Sequence, residues 1–480
     1  MKKLPLYVVL TAVLSACSMA PDYQRPPLPV ENSFPGEPAK VANLKVKASE
    51  IGWKQYFQDP RLQEYITASL DNNRDLRIAM LNVEQARLAY NITISDRLPG
   101  INAQGGYSHS RQATNPQTGL PNYSKGYQVG GGVSSFELDF FGKYASLSDA
   151  AQTKYLATVE GQKSAHIALV AQVARSYIQL RTAEEQLNLA RITTRTYNDS
   201  YQLVKQQVEA GIANDLDLAQ AEAQLYSSKV AVAAAEKAVI QLNNALDLVV
   251  GKMVKPAAKG YAISSQKILG KLPAGLPSEV LLAHPDVMVA EYQLMAANAD
   301  IGAARAAFFP SISLTSTIGS ISADFSDLFK GPTQTWNFAP SISIPIFNWG
   351  KIKSNYDLSQ VRKESSIASY EKAIQTAFMN VANGLQSQQP LQRQLGAQIK
   401  LVSTTKESLR LAQLLYDNGI ASYLNVLDAQ RSHFQARTGL LSTYQEQILN
   451  GIDLYTALGG GLYEDTVNTT VAEPMFAEAK

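Results

Sequence analysis

The chain has 480 residues and a formal charge of +2, its 43 basic and 41 acidic side chains almost balanced, with a single cysteine. That balance leaves no basic footprint for nucleic acid, and one cysteine excludes an intramolecular disulfide or a cysteine-built metal site. The fold has to be held by packing alone.

Residues 1–16 carry Lys2 and Lys3, an apolar run from Leu4 to Leu14, and small residues ahead of Cys17. This is the layout of a bacterial export signal that the mature chain lacks, and losing both lysines brings the formal charge to about zero. Leu14-Ser15-Ala16-Cys17 resembles the lipobox of bacterial lipoproteins, which implies an N-acyl diacylglycerol on the Cys17 thiol. An ordinary signal ending near a cysteine is the alternative. Ser18 after the cysteine, rather than Asp, implies by the same resemblance passage to the outer membrane. Beyond the leader no apolar run reaches the ~20 residues of a spanning helix, so any crossing of a bilayer has to be made by strands.

The rest of the chain repeats itself. Leu98-Pro99-Gly100-Ile101 is echoed by Phe309-Pro310-Ser311-Ile312, 211 residues on. Phe141-Gly142-Lys143 is echoed by Trp349-Gly350-Lys351, and Gly211-Ile212-Ala213-Asn214 by Gly419-Ile420-Ala421-Ser422, both at 208 residues. Matched order at nearly constant spacing predicts two structural copies. The expected division is a signal at 1–16, a lipidated and equatorial segment at 17–61, repeats at 62–277 and 278–458, and a tail at 459–480.

Each copy opens on a helix, predicted over Leu62 to Leu98 and over Ser278 to Phe309. Both segments are rich in Ala, Leu, Gln, Arg and Glu, with apolar residues three and four apart, as in Leu76, Ala79, Met80 and Val83. Pro99 and Pro310 stop them. Strands follow: from Trp336 to Ile346 large apolar residues fall on nearly every even position, and Ser311 to Ile318 alternates likewise. A soluble sandwich would alternate in the same way. Length close to the ~10 residues of a tilted spanning strand, and interfacial aromatics at Tyr107, Tyr127, Trp336 and Phe338, favour a barrel. Each copy offers two strands, joined by polar loops at Asn115 to Asn122 and Lys330 to Thr335. Four strands cannot enclose a wet lumen, so closure requires several protomers.

Long helices are predicted from about Lys143 to Glu209 and Lys351 to Asn418; roughly 67 residues would span about 100 Å. Heptad-like apolar spacing (Ile167, Val170, Ala174, Tyr177, Ile178) with interleaved alanines predicts a coiled-coil wall. Pro390 has no counterpart in the first copy and predicts a kink or short break. Gly211 and Gly419 suit left-handed helix stops, with Asn214 and Ser422 as caps of the next helices. The predicted hairpin tips, Gly211-Ile212-Ala213 and Gly419-Ile420-Ala421, are candidate docking points.

No catalytic constellation emerges. The four histidines have no ligand spacing, no phosphate loop carries a following Lys-Ser/Thr, and Gly130-Gly131-Gly132 lies in a strand-like stretch where glycine permits a bend or close packing. Neither enzyme chemistry, nor a metal, nor any cofactor beyond the lipid on Cys17 is expected.

The lipobox, the following Pro21-Asp22-Tyr23-Gln24-Arg25-Pro26, the two copies with their tips, Leu427-Asp428-Ala429-Gln430-Arg431 and Leu454-Tyr455-Thr456-Ala457-Leu458-Gly459-Gly460-Gly461 together resemble the outer-membrane factor family, the TolC and OprM group. The likeness covers the mature chain and is strongest to OprM-like lipoproteins of RND-type multidrug efflux pumps. It implies a mixed α and β homotrimer: four strands per chain complete one twelve-stranded transmembrane barrel, continued by a periplasmic helical coiled-coil barrel with an equatorial domain. That domain would draw on Ala39 to Tyr56, Lys252 to Gly275 and the C-terminal tail.

The implied function is a passive exit duct lying in outer-membrane lipid, joined by a periplasmic adaptor to an inner-membrane RND transporter. Its gate residues map onto Tyr416 and Asp428, with Asp417 and Asp217 nearby; Leu415 stands where some members have arginine. Three aspartates around a threefold axis repel one another unless water or cations intervene. A duct for protein secretion and a non-conducting coiled-coil lipoprotein are the alternatives.

Overall fold

The computed structural model describes residues 19–31, 33–35, 47–113, 122–266, 268, 272 and 277–467. Cys17 lies outside them. One order of elements occurs twice. It runs α1 (Pro60–Asn72), α2 (Arg74–Ser95), β1 (Ile101–Gln112), β2 (Asn122–Leu138), α3 (Lys143–Glu209) and α4 (Asp215–Val250). The second pass is α5 (Pro277–Leu282), α6 (Pro285–Ala306), β3 (Ser311–Ser322), β4 (Gln334–Ser343), α7 (Lys351–Asp417) and α8 (Tyr423–Ala457). The chain divides into two compact units: Met1–Pro27, Asn82–Val159 and Val289–Tyr370 form the first, the remainder the second.

The first unit holds a four-stranded antiparallel sheet in the order β1-β2-β3-β4. Its edges, β1 and β4, are unpaired, and β4 is exposed along its whole length. The register slips between Val133 and Phe136, where Ser135 takes φ +55° and its N–H bonds the Thr315 hydroxyl at 3.1 Å. Such a bulge bends a strand and sharpens its twist.

An extended strap, Met19 to Arg25, is held along α6. Arg25 Nε donates to Glu291 at 2.7 Å and the Tyr23 hydroxyl at 3.2 Å; Asn298 donates to the Pro21 carbonyl at 2.6 Å and Arg305 to that of Met19 at 3.3 Å. Gly302 makes room for it: a Cβ there would stand 2.6 Å from Ala20 N. Six extended residues at about 3.3 Å each and fourteen helical ones at about 1.5 Å cover the same distance.

In the second unit Trp53, Tyr56 and Phe57 are buried, with Tyr56 stacked on Tyr455 at 3.9 Å. Their hydroxyls donate to Gly451 O and Ile51 O, both at 2.6 Å. Trp53 and Lys54 donate their N–H groups to the carbonyls of Tyr463 and Glu464. Asp59, 1 % exposed, caps α1 through Arg61 N and accepts from the Tyr177 hydroxyl (2.7 Å), Tyr261 N (2.9 Å) and Gln266 Nε2 (2.7 Å).

Four expectations change. The opening helices are each two: Asn73 breaks the first, its Oδ1 capping Leu76 N and its Nδ2 bonding Val249 O, while His284 and Pro285 break the second. Pro390 causes no break; α7 is continuous, with Asn450 of α8 bonding Gly384 O on one side of the proline and Gln394 reaching Glu446 on the other. Strand β4 starts at Gln334 inside the predicted loop and stops at Ser343, short of Pro345, which has no N–H to pair. Ser422 stands at the N-cap of α8 in extended geometry, yet its side chain caps nothing.

Candidate functional site

The sheet has two chemically different faces. Residues paired across the strands share a face, so one side carries the rows Ile101/Val133/Ser316/Phe338, Ala103/Gly131/Ile318/Trp336 and Leu138/Ile312/Ile342. The opposite side carries Asn102/Gly132/Thr317/Asn337, Gln104/Gly130/Gly319/Thr335 and Glu137/Ser313/Ser341. Ile321 and Ala339 are apolar exceptions there. On the polar side Gly132 and Gly319 allow close approach: a Cβ would stand 2.0 Å from Ser316 O and 2.3 Å from Val129 O. Gly130 and Gly132 of the triple glycine thus serve packing on the polar face, while Gly131 lies on the apolar one.

Rings gather at both ends of the strands. Tyr107 meets Tyr127 at 4.6 Å, and Tyr127 meets Phe325 at 5.5 Å, at the hairpin end. Phe141 stacks on Phe309 at 4.8 Å and Phe347 meets Trp349 at 4.7 Å at the helix end. Trp336 and Phe338 lie within the apolar rows between. The helix-end rings were missed in the sequence because they sit in landmark motifs beside Gly142, Pro310 and Gly350, outside any alternating stretch.

In the second unit the two hairpin tips are built alike. Gly211 and Gly419 take φ +71° and +70°. Ile212 N and Ala213 N both bond Gln207 O; Ile420 N and Ala421 N both bond Leu415 O. These left-handed stops satisfy the last carbonyls of α3 and α7, and leave Ile212 and Ile420 about three-quarters exposed, at 77 % and 74 %. Asn214 caps α4 through Asp217 N at 2.9 Å.

Beside the tips, Val204, Ala221, Tyr423, Val426 and Leu427 are buried together, with Tyr416 against them. The Tyr416 hydroxyl donates to Gln207 of the first hairpin at 2.7 Å and its ring meets Tyr423 at 5.4 Å. Burial, then the charges of Asp217 and Asp417, push its pKa up, so the hydroxyl keeps its proton as a donor. Asp417 accepts from Gln413 at 2.8 Å. Asp428 lies further along α8, its side chain 65 % exposed, with Arg431 Nη1 3.7 Å away. Tyr416, Asp217 and Asp417 are thus brought together, whereas Asp428 stands apart with Arg431. Sequence reasoning missed Gln207 and Gln224, which accepts from Arg431 Nε at 2.8 Å; both are ordinary helix glutamines until the hairpins are laid side by side.

An open sheet with one apolar and one polar face, ringed by aromatics and continuing into helices of 67 residues, is the protomer of an outer-membrane channel. Among the described residues no helix is long and apolar enough to cross a membrane. The chain belongs to the outer membrane efflux protein family, whose model matches residues 65–252 and 276–460. It is 43% identical over 461 residues to the cation efflux system protein CusC of Escherichia coli (strain K12), covering 96% of this chain and 99% of that one. The probable efflux pump outer membrane protein TtgC of Pseudomonas putida is 42% identical over 472 residues, 97% of each chain. Among solved structures, the open state of the MtrE outer membrane channel of Neisseria gonorrhoeae superposes with a TM-score of 0.85 at 40% identity, over 94% of this chain and all of that one. The protein is an outer-membrane efflux duct with a periplasmic helical part.

Proposed function

We propose that three copies close one twelve-stranded barrel, with the apolar rows facing lipid and the polar rows lining a water-filled passage. The observation that carries this is the four-stranded sheet of opposite faces with both long edges unpaired. Such edges invite pairing with another chain, and four strands are too few to close around water. The twelve periplasmic helices of the trimer continue the passage.

The duct is passive and serves a tripartite pump, joined to a periplasmic adaptor and an inner-membrane RND transporter that supplies the energy. The tips at Gly211, Ile212, Ala213, Gly419, Ile420 and Ala421 are its docking points: two like-built turns, each presenting an exposed isoleucine. The closed end is held by Tyr416 on Gln207, with Asp217 and Asp417 beside it, and narrowed by a ring of three Asp428 carboxylates. Cys17 carries an N-acyl diacylglycerol that anchors the chain in the outer membrane.

Multidrug export is the leading cargo reading. The printed name of the CusC relative favours a second, export of cations. Complementing a deletion strain separates them. Restored resistance to several unrelated organic compounds supports the first; resistance restored only to toxic metal cations supports the second. Restoration of neither resistance, despite trimers in the outer membrane, would contradict an efflux role. Cys17→Ser behind a cleavable signal reports how far the lipid is needed.

A further inference from the structure

Arg431 stands between two acceptors. Its Nε is bonded at 2.8 Å to Gln224 of the first hairpin, while its Nη1 stays 3.7 Å from Asp428, three residues earlier on its own helix. Charge-assisted N–H···O bonds close at about 2.7–2.9 Å, so the bond to Gln224 is made, while the ion pair with Asp428 is held open at 3.7 Å. Gln224 is 9 % exposed, and its carbonyl oxygen accepts from the guanidinium. A cavity of about 250 Å³ lined by Thr193, Tyr197, Gln224, Ser228, Arg431 and Gln435, among others, gives that side chain room to move.

We propose that Gln224 is a specificity-determining residue of the duct: by holding Arg431 on the first hairpin it keeps the Arg431–Asp428 ion pair loose, and so sets the cation preference of the narrowed end. An arginine fork matches a carboxylate in two parallel bonds. Released from Gln224, Arg431 closes on Asp428 one helical turn away, and each of the three carboxylates is paired more tightly. The inference rests on the reading of Asp428 as the gate ring. Asp428 gives the charge; Gln224, which touches no cargo, decides how strongly that charge is felt.

The test is the reversal potential of purified trimers in planar bilayers under a potassium chloride gradient, with hexamminecobalt(III) as a trivalent blocker. The wild type is expected to prefer potassium to chloride and to be blocked. Gln224→Leu should lower the permeability ratio several-fold towards unity and raise the blocking concentration several-fold. The double variant Gln224→Leu/Arg431→Gln, which has no arginine to release, should return both to wild-type strength or beyond. Gln224→Glu, which holds Arg431 more firmly, should keep the preference at or above wild type.

If Asp428→Asn leaves selectivity unchanged, the gate reading itself fails and the proposal with it. If Asp428→Asn abolishes selectivity while trimeric Gln224→Leu matches wild type, the gate stands and the proposal is overturned. Should Gln224→Leu not assemble, the Glu variant decides: a loss of preference in Gln224→Glu trimers would equally overturn it.

Discussion

Asp59 joins three stretches of chain: it caps α1, accepts the buried Tyr177 hydroxyl of α3 and fixes the linker at Tyr261 and Gln266. Asp59→Ala removes a cap and strands buried donors, a combined cost of about 3 kcal/mol. A lower thermal midpoint of the detergent-solubilised protein is expected; an unchanged midpoint would show that other acceptors replace the carboxylate. Beyond the cap on α1, nothing near residue 59 announced this role, because Tyr177, Tyr261 and Gln266 lie 118 to 207 positions away. Glu291, Gln207 and Gln224 were invisible for the same reason. Tyr416 and Asp428 were reached through a family motif, while the structure supplied what each of them touches.

Elements whose shape is set by neighbouring residues were legible. The glycine stops at 211 and 419 needed only local geometry, and the two-residue alternation of β3 and β4 marked both faces. Where a distant partner intervenes, local rules failed: Asn73 divides a helix by bonding Val249 O, and α7 runs through Pro390 with α8 bonded on either side. At the tips, Ala421→Trp is expected to abolish co-purification with the adaptor while trimers remain in the membrane. Retained adaptor and normal resistance would count against docking there. The strap offers a separate test. Gly302→Val places side-chain atoms where Ala20 lies, so chymotrypsin should cut after Tyr23 many-fold faster than in wild type. Equal rates would mean that the strap is held elsewhere.

At the scale of the whole molecule, the exposed side chains are as informative as the buried ones. Ile78, Met80, Leu81, Leu88 and Ile92 of α2 and Leu411, Leu414 and Leu415 of α7 are exposed in the single chain, as are Ile318, Trp336, Phe338 and Ile342 on the sheet. So much apolar surface on one protomer calls for partner chains and lipid. The need for several copies could be read from four strands that cannot close; their number could not, because no residue pattern within one chain counts its neighbours. Native mass spectrometry of the protein released from detergent tests this most directly. The account predicts a complex of three times the mature chain mass, surviving with the sheet folded. A folded monomer, or a complex of any other number, would contradict the twelve-stranded duct.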